Sequence, residues 1–272
     1  MPKPTTSLTA ELYERGFVFV PGLLSPEEAR EYRIKILNNC GVEEGNLDPT
    51  RRWLLGDGPN KCKEWWSLIV NSRILNLMHE IIGPEIRYLR NADLQVQNDR
   101  RIWHRDSPCR QFGKGPDFDE SRSPYHVYRV GVYFHSYAES GSALGLVPGS
   151  HHREPWLLPH ELTFWDYVRS ELRQDYLLAP FVSVRPVWIK AGFGDCIIFD
   201  ARVLHAPSKF HGPKLAAYLS YGANNEHSRA FYQHYAHDRK DLKYPPLDPE
   251  LREILREKNL LLEETSSTVV HA

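Results

Sequence analysis

Between about residue 86 and residue 221 the chain falls into short β-prone runs: 86–97, 101–106, 126–136, 143–147, 181–189, 195–199 and 214–221. Turn residues separate them, most clearly Gly113 to Pro116, Glu139 to Ser142 and Pro148-Gly149-Ser150. Glycine opens backbone conformations closed to other residues and proline removes a donor, so such clusters end strands. Many short strands must bury one face each. The stable solutions are two sheets packed together or a barrel, which predicts a mainly β sandwich or jelly roll.

Ahead of this region the pattern is helical. Leu8, Leu12 and Tyr13 share a face of a helix that ends near Gly16, and Phe17-Val18-Phe19-Val20 is a short β-prone run stopped by Pro21-Gly22. Ser25-Pro26-Glu27-Glu28 opens a second helix, with Ser25 as N-cap, proline in the first turn and acids facing the positive end of the macrodipole. Residues 66–82 continue the pattern to Gly83-Pro84. The organisation expected is one domain over 1–272: a mainly helical buttress (1–85), a β core (86–222) with a helical insertion near 155–176, and a C-terminal extension (223–272) whose segment 248–262 is helix-prone and whose end, 266–272, frays.

Composition narrows the function classes. Hydrophobic residues at 41% and charged residues at 25% suit a protein with a sizeable core. A formal net charge of -1 gives no basic surplus for nucleic-acid phosphates. No apolar run is long enough to span a membrane and no secretory leader is evident. Cys40, Cys62, Cys109 and Cys196 are widely spaced without a C-x-x-C pair. They read as reduced thiols of a cytoplasmic protein, neither a disulfide framework nor a zinc ribbon.

The chemistry-bearing residues begin with Trp103-His104-Arg105-Asp106. On a strand, His104 and Asp106 point to the same side and can converge on one ion. Among 13 histidines one such spacing is expected by chance, and a solvated surface pair explains it equally well. The second half is Gly194-Asp195-Cys196-Ile197-Ile198-Phe199-Asp200, a tight turn feeding an apolar strand, followed by Val203-Leu204-His205-Ala206-Pro207. Two imidazoles and one carboxylate on one face of an octahedron leave three positions for a co-substrate and O2, as in non-haem iron oxygenases. Zinc hydrolases also use two histidines and a carboxylate, so the ligand set alone leaves the metal open.

Along most of its length the chain resembles the phytanoyl-CoA dioxygenase-like branch of the iron(II)/2-oxoglutarate oxygenases. The matching stretches, in order, are Tyr13 to Glu28, Trp103 to Asp106, Val147-Pro148-Gly149-Ser150-His151, Gly194 to His205, and Lys214-Leu215-Ala216-Ala217-Tyr218. The resemblance implies a double-stranded β-helix (a jelly-roll, cupin-like core) and the cofactors Fe(II), 2-oxoglutarate and O2. It implies His104, Asp106 and His205 as metal ligands, and His151 as part of a structural turn. It also implies hydroxylation as the default reaction, because related halogenases lack the carboxylate that Asp106 supplies. Desaturation, epoxidation or ring closure would use the same residues.

The family places an arginine about ten residues after the second metal histidine to hold the distal carboxylate of 2-oxoglutarate, and this chain departs from it. No arginine lies between His205 and Arg229; the cations at hand are Lys209, His211 and Lys214. Lys214, directly before the last strand, is assigned the role, as a point charge where the family uses a fork. By strand alternation Tyr218 and Ser220 share its face, while Arg129 and Tyr133 turn toward the cavity and Val130, Val132 and Phe134 away from it. Arg129, Tyr133 and Gln97 are therefore co-substrate candidates, Arg129 against the alternative of an internal salt bridge. Gln97 shares a face with Gln95, and both have the alternative of bonding a neighbouring strand.

The loop from Ser107 to Tyr125, with mixed charge beside Phe112, Phe118 and Tyr125, is expected to form the cavity rim and to suit a small polar molecule. Two other classes stay open: a metal-dependent hydrolase or isomerase on a cupin-like barrel, and a non-catalytic jelly-roll binding module.

Overall fold

A computed structural model describes residues 7–48, 50–98, 102–153, 186–242 and 244–262. The insertion expected near 155–176 lies outside the described residues.

Among the described residues ten strands form two antiparallel sheets. The larger runs β1(Phe17–Val20)-β8(Cys196–Asp200)-β5(Val127–Tyr133)-β10(Leu215–Ala223)-β4(Asp93–Val96)-β2(Trp53–Gly56), with β3(Ile86–Tyr88) also on β10. The smaller runs β7(Val187–Ile189)-β6(Leu144–Leu146)-β9(His205–Pro207). An isolated antiparallel bridge, His104 to His205, adds the His104 segment beyond β9. From β4 to β10 the chain thus passes back and forth between two facing sheets, with β6 and β7 consecutive in the smaller one, in the order of an eight-stranded jelly roll, and β1 and β2 extend the larger sheet at its two edges. The described segments do not close the sheets into a barrel.

Strand alternation divides the larger sheet into two faces. Val130 and Val132 of β5, Leu215, Ala217 and Leu219 of β10, Leu94 and Val96 of β4 and Ile198 of β8 share one apolar core with the helices. The helix Pro26–Asn39 contributes Ala29, Tyr32, Ile36 and Leu37, and the helix Ser72–Ile82 contributes Ile74, Met78 and Ile81. Each of the larger aliphatic side chains contributes about 1.5–3 kcal/mol of burial, so the helical layer commits one sheet face to packing. The opposite face, with Arg129, Tyr133, Tyr218, Ser220, Asp93 and Gln95, is left for the interior between the sheets.

The helix starts follow the capping chemistry. Ser25 and Glu28 form a capping box, and Asn71 accepts from the amides of Arg73 and Ile74. That second cap splits the expected 66–82 helix into Trp66–Ile69 and Ser72–Ile82. The N-terminal third is less purely helical than expected, since β1 and β2 both join the sheet. The run 86–97 divides into β3 and β4 around Arg90, which stands at a φ of 63°. The run 101–106 is reduced, within the described residues, to the single bridge at His104. All four cysteines are free, and no helix among the described residues is long and apolar enough to cross a membrane.

The turn before β8 shows why the sequence has Gly-Asp there. Gly194 stands at a φ of 87°, and a Cβ on it would lie 2.5 Å from the carbonyl oxygen of Leu24. Asp195 then accepts from the amide of Gly22 at 2.7 Å, tying the turn to the end of β1. Gly194→Ala should cost about 2–4 kcal/mol, from left-handed backbone strain plus overpacking. Urea unfolding measures it, and a loss under about 1 kcal/mol would show that the turn relaxes freely.

Candidate metal centre

His104 and His205 meet because their backbones do. His104 N donates to His205 O and His205 N to His104 O, both at 3.0 Å, the closed ring of an antiparallel pair. Their rings lie 4.3 Å apart between centroids. Asp106 is fixed two residues on: its amide and that of Ser107 both donate to Ala201 O, at 2.8 and 2.9 Å. The phenol of Tyr235 donates to Asp106 O at 2.7 Å. Tyr235 lies in the π-helical stretch His234–Asp238 after the helix Glu226–Gln233, so the C-terminal extension clasps the ligand segment from outside.

Hydrogen bonds also select the donor atoms. His104 Nδ1 lies 2.7 Å from Ile102 O, and His205 Nδ1 lies 2.9 Å from Val203 O. A carbonyl only accepts, so each Nδ1 carries a proton and Nε2 is the nitrogen left to offer a lone pair to an ion. His104 Nε2 is 3.6 Å from Asp106 Oδ1 and His205 Nε2 is 3.8 Å from Asp106 Oδ2. Ligand atoms of the three residues lie within 4.8 Å of one another.

Electrostatics match a cation site. Burial raises the Asp106 carboxyl, but Arg129 beside it, with His205, His104 and Arg110, more than offsets this and brings it to about 2. Burial, with His104 adding to it, pushes His205 down to about 4. At neutral pH the centre therefore holds an ionised carboxylate and a neutral imidazole on His205. Two nitrogen lone pairs and a carboxylate aimed at one point repel each other without a cation between them. This donor set fits a divalent metal with open positions.

A cavity of about 190 Å³ opens on the three residues. Asp93, Gln95, Asn98 and Arg129 supply its polar wall; Leu144, Phe199, Pro207 and Tyr218 supply an apolar one. Tyr218 crosses Gly131 of the neighbouring strand, where a Cβ would come within 2.8 Å of its ring. Behind it, Tyr133 is buried with its hydroxyl 3.3 Å from that of Tyr218. Lys214, directly before β10, is 5% exposed and outside the cavity lining, and its Nζ donates to the carbonyl oxygen of Asn98, which does line the cavity, at 2.6 Å. His135, beside the same strand end, has Nδ1 2.9 Å from the Leu215 amide.

Two of the residues expected to bind co-substrate are placed otherwise. Gln97 stands at a φ of 53°, which ends the alternation of β4 and turns its amide outward to the carbonyls of Asp48 and Arg51. Gln95 lines the cavity instead. Arg129 does reach the interior, but its guanidinium is committed to Asn91 O, Ser220 Oγ, Asp93 and Asp106, so it is not free to anchor a co-substrate.

Sequence reasoning also missed Tyr235, which no local pattern connects to the site, and the role of Arg105. Arg105 points away from the ligand face, is 1% exposed, and donates to Arg202 O and Ser150 O at 2.9 and 3.3 Å. Ser150 Oγ in turn accepts from the amide of Leu204 at 2.8 Å. The Pro148-Gly149-Ser150-His151 turn is thus a brace between the two ligand segments. His151 bonds Tyr13 O at 3.1 Å and stands outside the ligand set.

The family model of phytanoyl-CoA dioxygenase (PhyH) matches residues 12–216. The chain belongs to that family. No curated protein matches its sequence. Among solved structures, HygX from Streptomyces hygroscopicus with nickel and 2-oxoglutarate bound is 18% identical, covering 82% of this chain and 88% of its own, with a TM-score of 0.56. The non-heme alpha-ketoglutarate-dependent epimerase SnoN from nogalamycin biosynthesis is 19% identical over 80% of this chain and 81% of its own, with a TM-score of 0.52. The carbocyclase SnoK from nogalamycin biosynthesis is 17% identical over 82% and 88%, with a TM-score of 0.53. At these identities the likeness is one of fold, and it agrees with the jelly-roll order of the PhyH-family core described above.

The buried imidazoles set a pH dependence. Burial brings both His135 and His205 to about 4 in the folded, metal-free protein, against about 6.5 when unfolded. Below about 6.5 the unfolded chain takes up protons that the folded one refuses, so this stability is fully present above about 6.5 and is lost as pH falls toward 4. Each ring contributes at most about 1.4 kcal/mol per pH unit in that window. Urea unfolding of metal-free protein from pH 7 to 4.5 should show the decline, and His135→Gln should remove its share; an unchanged slope in the variant would place the titration elsewhere.

Proposed function

We propose that this PhyH-family protein is an Fe(II)- and 2-oxoglutarate-dependent dioxygenase that hydroxylates a C–H bond of a small polar molecule, consuming O2 and releasing succinate and CO2. The observation that supports it is the convergence of His104 Nε2, His205 Nε2 and the Asp106 carboxylate at the mouth of an inter-sheet cavity, in a chain of this family. These three residues would hold the iron. Bound there, it would supply the oxidative chemistry with 2-oxoglutarate and O2; the chain supplies orientation, charge and shelter from water. Zinc would suit the same donors, but a zinc hydrolase would not consume 2-oxoglutarate.

The cavity divides the work. Its volume, about 190 Å³, is below the ~300–1,000 Å³ typical of small-molecule sites, so it suits the co-substrate and the reacting end of a substrate whose remainder stays at the rim. Lys214 is assigned the distal carboxylate: it is buried directly before β10, and its bond to Asn98 O sets its ammonium behind a residue that lines the cavity. The Tyr133 and Tyr218 hydroxyls are the neighbouring donors on the inner face of the sheet. Asp93, Gln95 and Asn98 offer acceptors to hydroxyl or amine groups of a polar substrate.

A second outcome has a specific basis, since SnoN is an epimerase and SnoK a carbocyclase. Product mass separates the readings. Hydroxylation adds one oxygen, ring closure or desaturation removes two hydrogens, and epimerisation leaves the mass unchanged. With Fe(II) and O2, succinate should form one-for-one with product and be lost in His104→Ala and Asp106→Ala. Lys214→Ala should raise the 2-oxoglutarate KM about 10–100-fold, the worth of a charge-assisted hydrogen bond. An unchanged KM would remove Lys214 from the site. No succinate from a broad panel of polar metabolites would count against the enzyme itself.

A further inference from the structure

Arg129 is a buried cation that touches Asp106 directly, and it arrives from a different strand than any ligand. It sits on β5 and is 3% exposed. From β10, Ser220 Oγ accepts from its NH1 at 2.8 Å, and the same NH1 donates to Asn91 O. From β4, Asp93 Oδ2 accepts from NH2 at 2.9 Å. Three neighbouring strands therefore aim the guanidinium. Its remaining edge faces Asp106: Nε is 3.0 Å from Oδ2, close enough for an ion pair but off the line of a hydrogen bond, and makes no other bond. A guanidinium with its other sides fixed is a rigid stop for whatever lies against that edge.

We propose that Arg129 is the positioning residue of the metal carboxylate, holding Asp106 Oδ2 from the sheet side so that Oδ1 is the oxygen offered to the ion. This rests on the metal site proposed above. A carboxylate free on both oxygens can chelate an ion through both and close a coordination position; one held on Oδ2 binds through one oxygen and leaves that position for co-substrate or O2. Asp93 keeps the arrangement balanced in charge, since Arg129 then stands between two carboxylates and does not draw Asp106 away from the ion as a lone buried cation would. Arg129 acts through Asp106 and is not itself a catalytic residue.

The test is anaerobic Fe(II) titration of the full-length protein, followed by intrinsic tryptophan fluorescence and by iron retained after desalting. Two variants are compared with wild type. Arg129→Lys keeps the charge but not the fork, and Arg129→Met with Asp93→Asn removes the ion pair together, so that no unpaired acid is buried. Melting curves check folding. Partners that orient a metal ligand typically matter about 10–100-fold in metal affinity, and both variants should weaken Fe(II) binding by that much. Ser220→Ala, a small change that removes one anchor of the guanidinium, should weaken it less but in the same direction. It decides the matter if the larger substitutions do not fold. Wild-type affinity in a folded Arg129 variant, or in Ser220→Ala should neither fold, would overturn the assignment. Failure of the wild-type protein to bind one Fe(II) per chain would instead overturn the metal site itself.

Discussion

The reciprocal backbone pair between His104 and His205 is the constraint on which the site depends. The two histidines are about a hundred residues apart in sequence, and only the pairing of the ligand segment with β9 sets them opposite each other. Opposed residues of an antiparallel pair stand at a fixed separation and on one side, so two imidazoles reach the same point with no adjustment of the chain. The braces around the pair share one purpose. Arg105 ties the first ligand segment to the loop before the second, Ser150 holds that loop, and Tyr235 presses on the backbone of Asp106. None of the three contacts an ion; each removes freedom from a group that would.

The second organising fact is a division of labour across the larger sheet. Its outer face is apolar and covered by helices. Its inner face then carries a buried network of Asp93, Arg129, Ser220 and Asp106. Buried charges of this kind are costly unless paired, and here Arg129 pairs with both Asp93 and Asp106. The pairing keeps Asp106 ionised and Arg129 occupied; Lys214, the cation proposed for the distal carboxylate, stands at the other end of β10.

Much of this was legible in the sequence, for identifiable reasons. A mainly β sandwich or jelly roll followed from a series of short strands, and the choice of the jelly roll from the family resemblance. The facing of Arg129, Tyr133, Tyr218 and Ser220 followed from two-residue alternation, which survives because the outer helices demand an unbroken apolar row. His104, Asp106 and His205 were readable because motif order in the family fixes which histidine returns to the first. Alternation failed where the backbone departs from it, and Gln97, at positive φ, faces outward although Gln95 does not. The destination of Arg129 was unreadable for another reason. Its facing is a local property, but its partners lie on β4, β10 and the ligand segment, and nothing local to β5 says which acid it meets. Tyr235 is the same case at greater distance, a residue of the C-terminal extension whose role exists only once the fold has brought it back over Asp106.

The most direct test of the account is spectroscopic and needs no substrate. Chelation of Fe(II) by the 2-oxo acid end of 2-oxoglutarate gives a visible charge-transfer absorbance, so 2-oxoglutarate is added without oxygen to protein carrying one Fe(II) per chain. The band should appear in the wild-type protein, saturate with 2-oxoglutarate, and be absent in His104→Ala and in His205→Ala. A wild-type protein that binds Fe(II) but shows no band, or a band that survives loss of either histidine, would contradict the account.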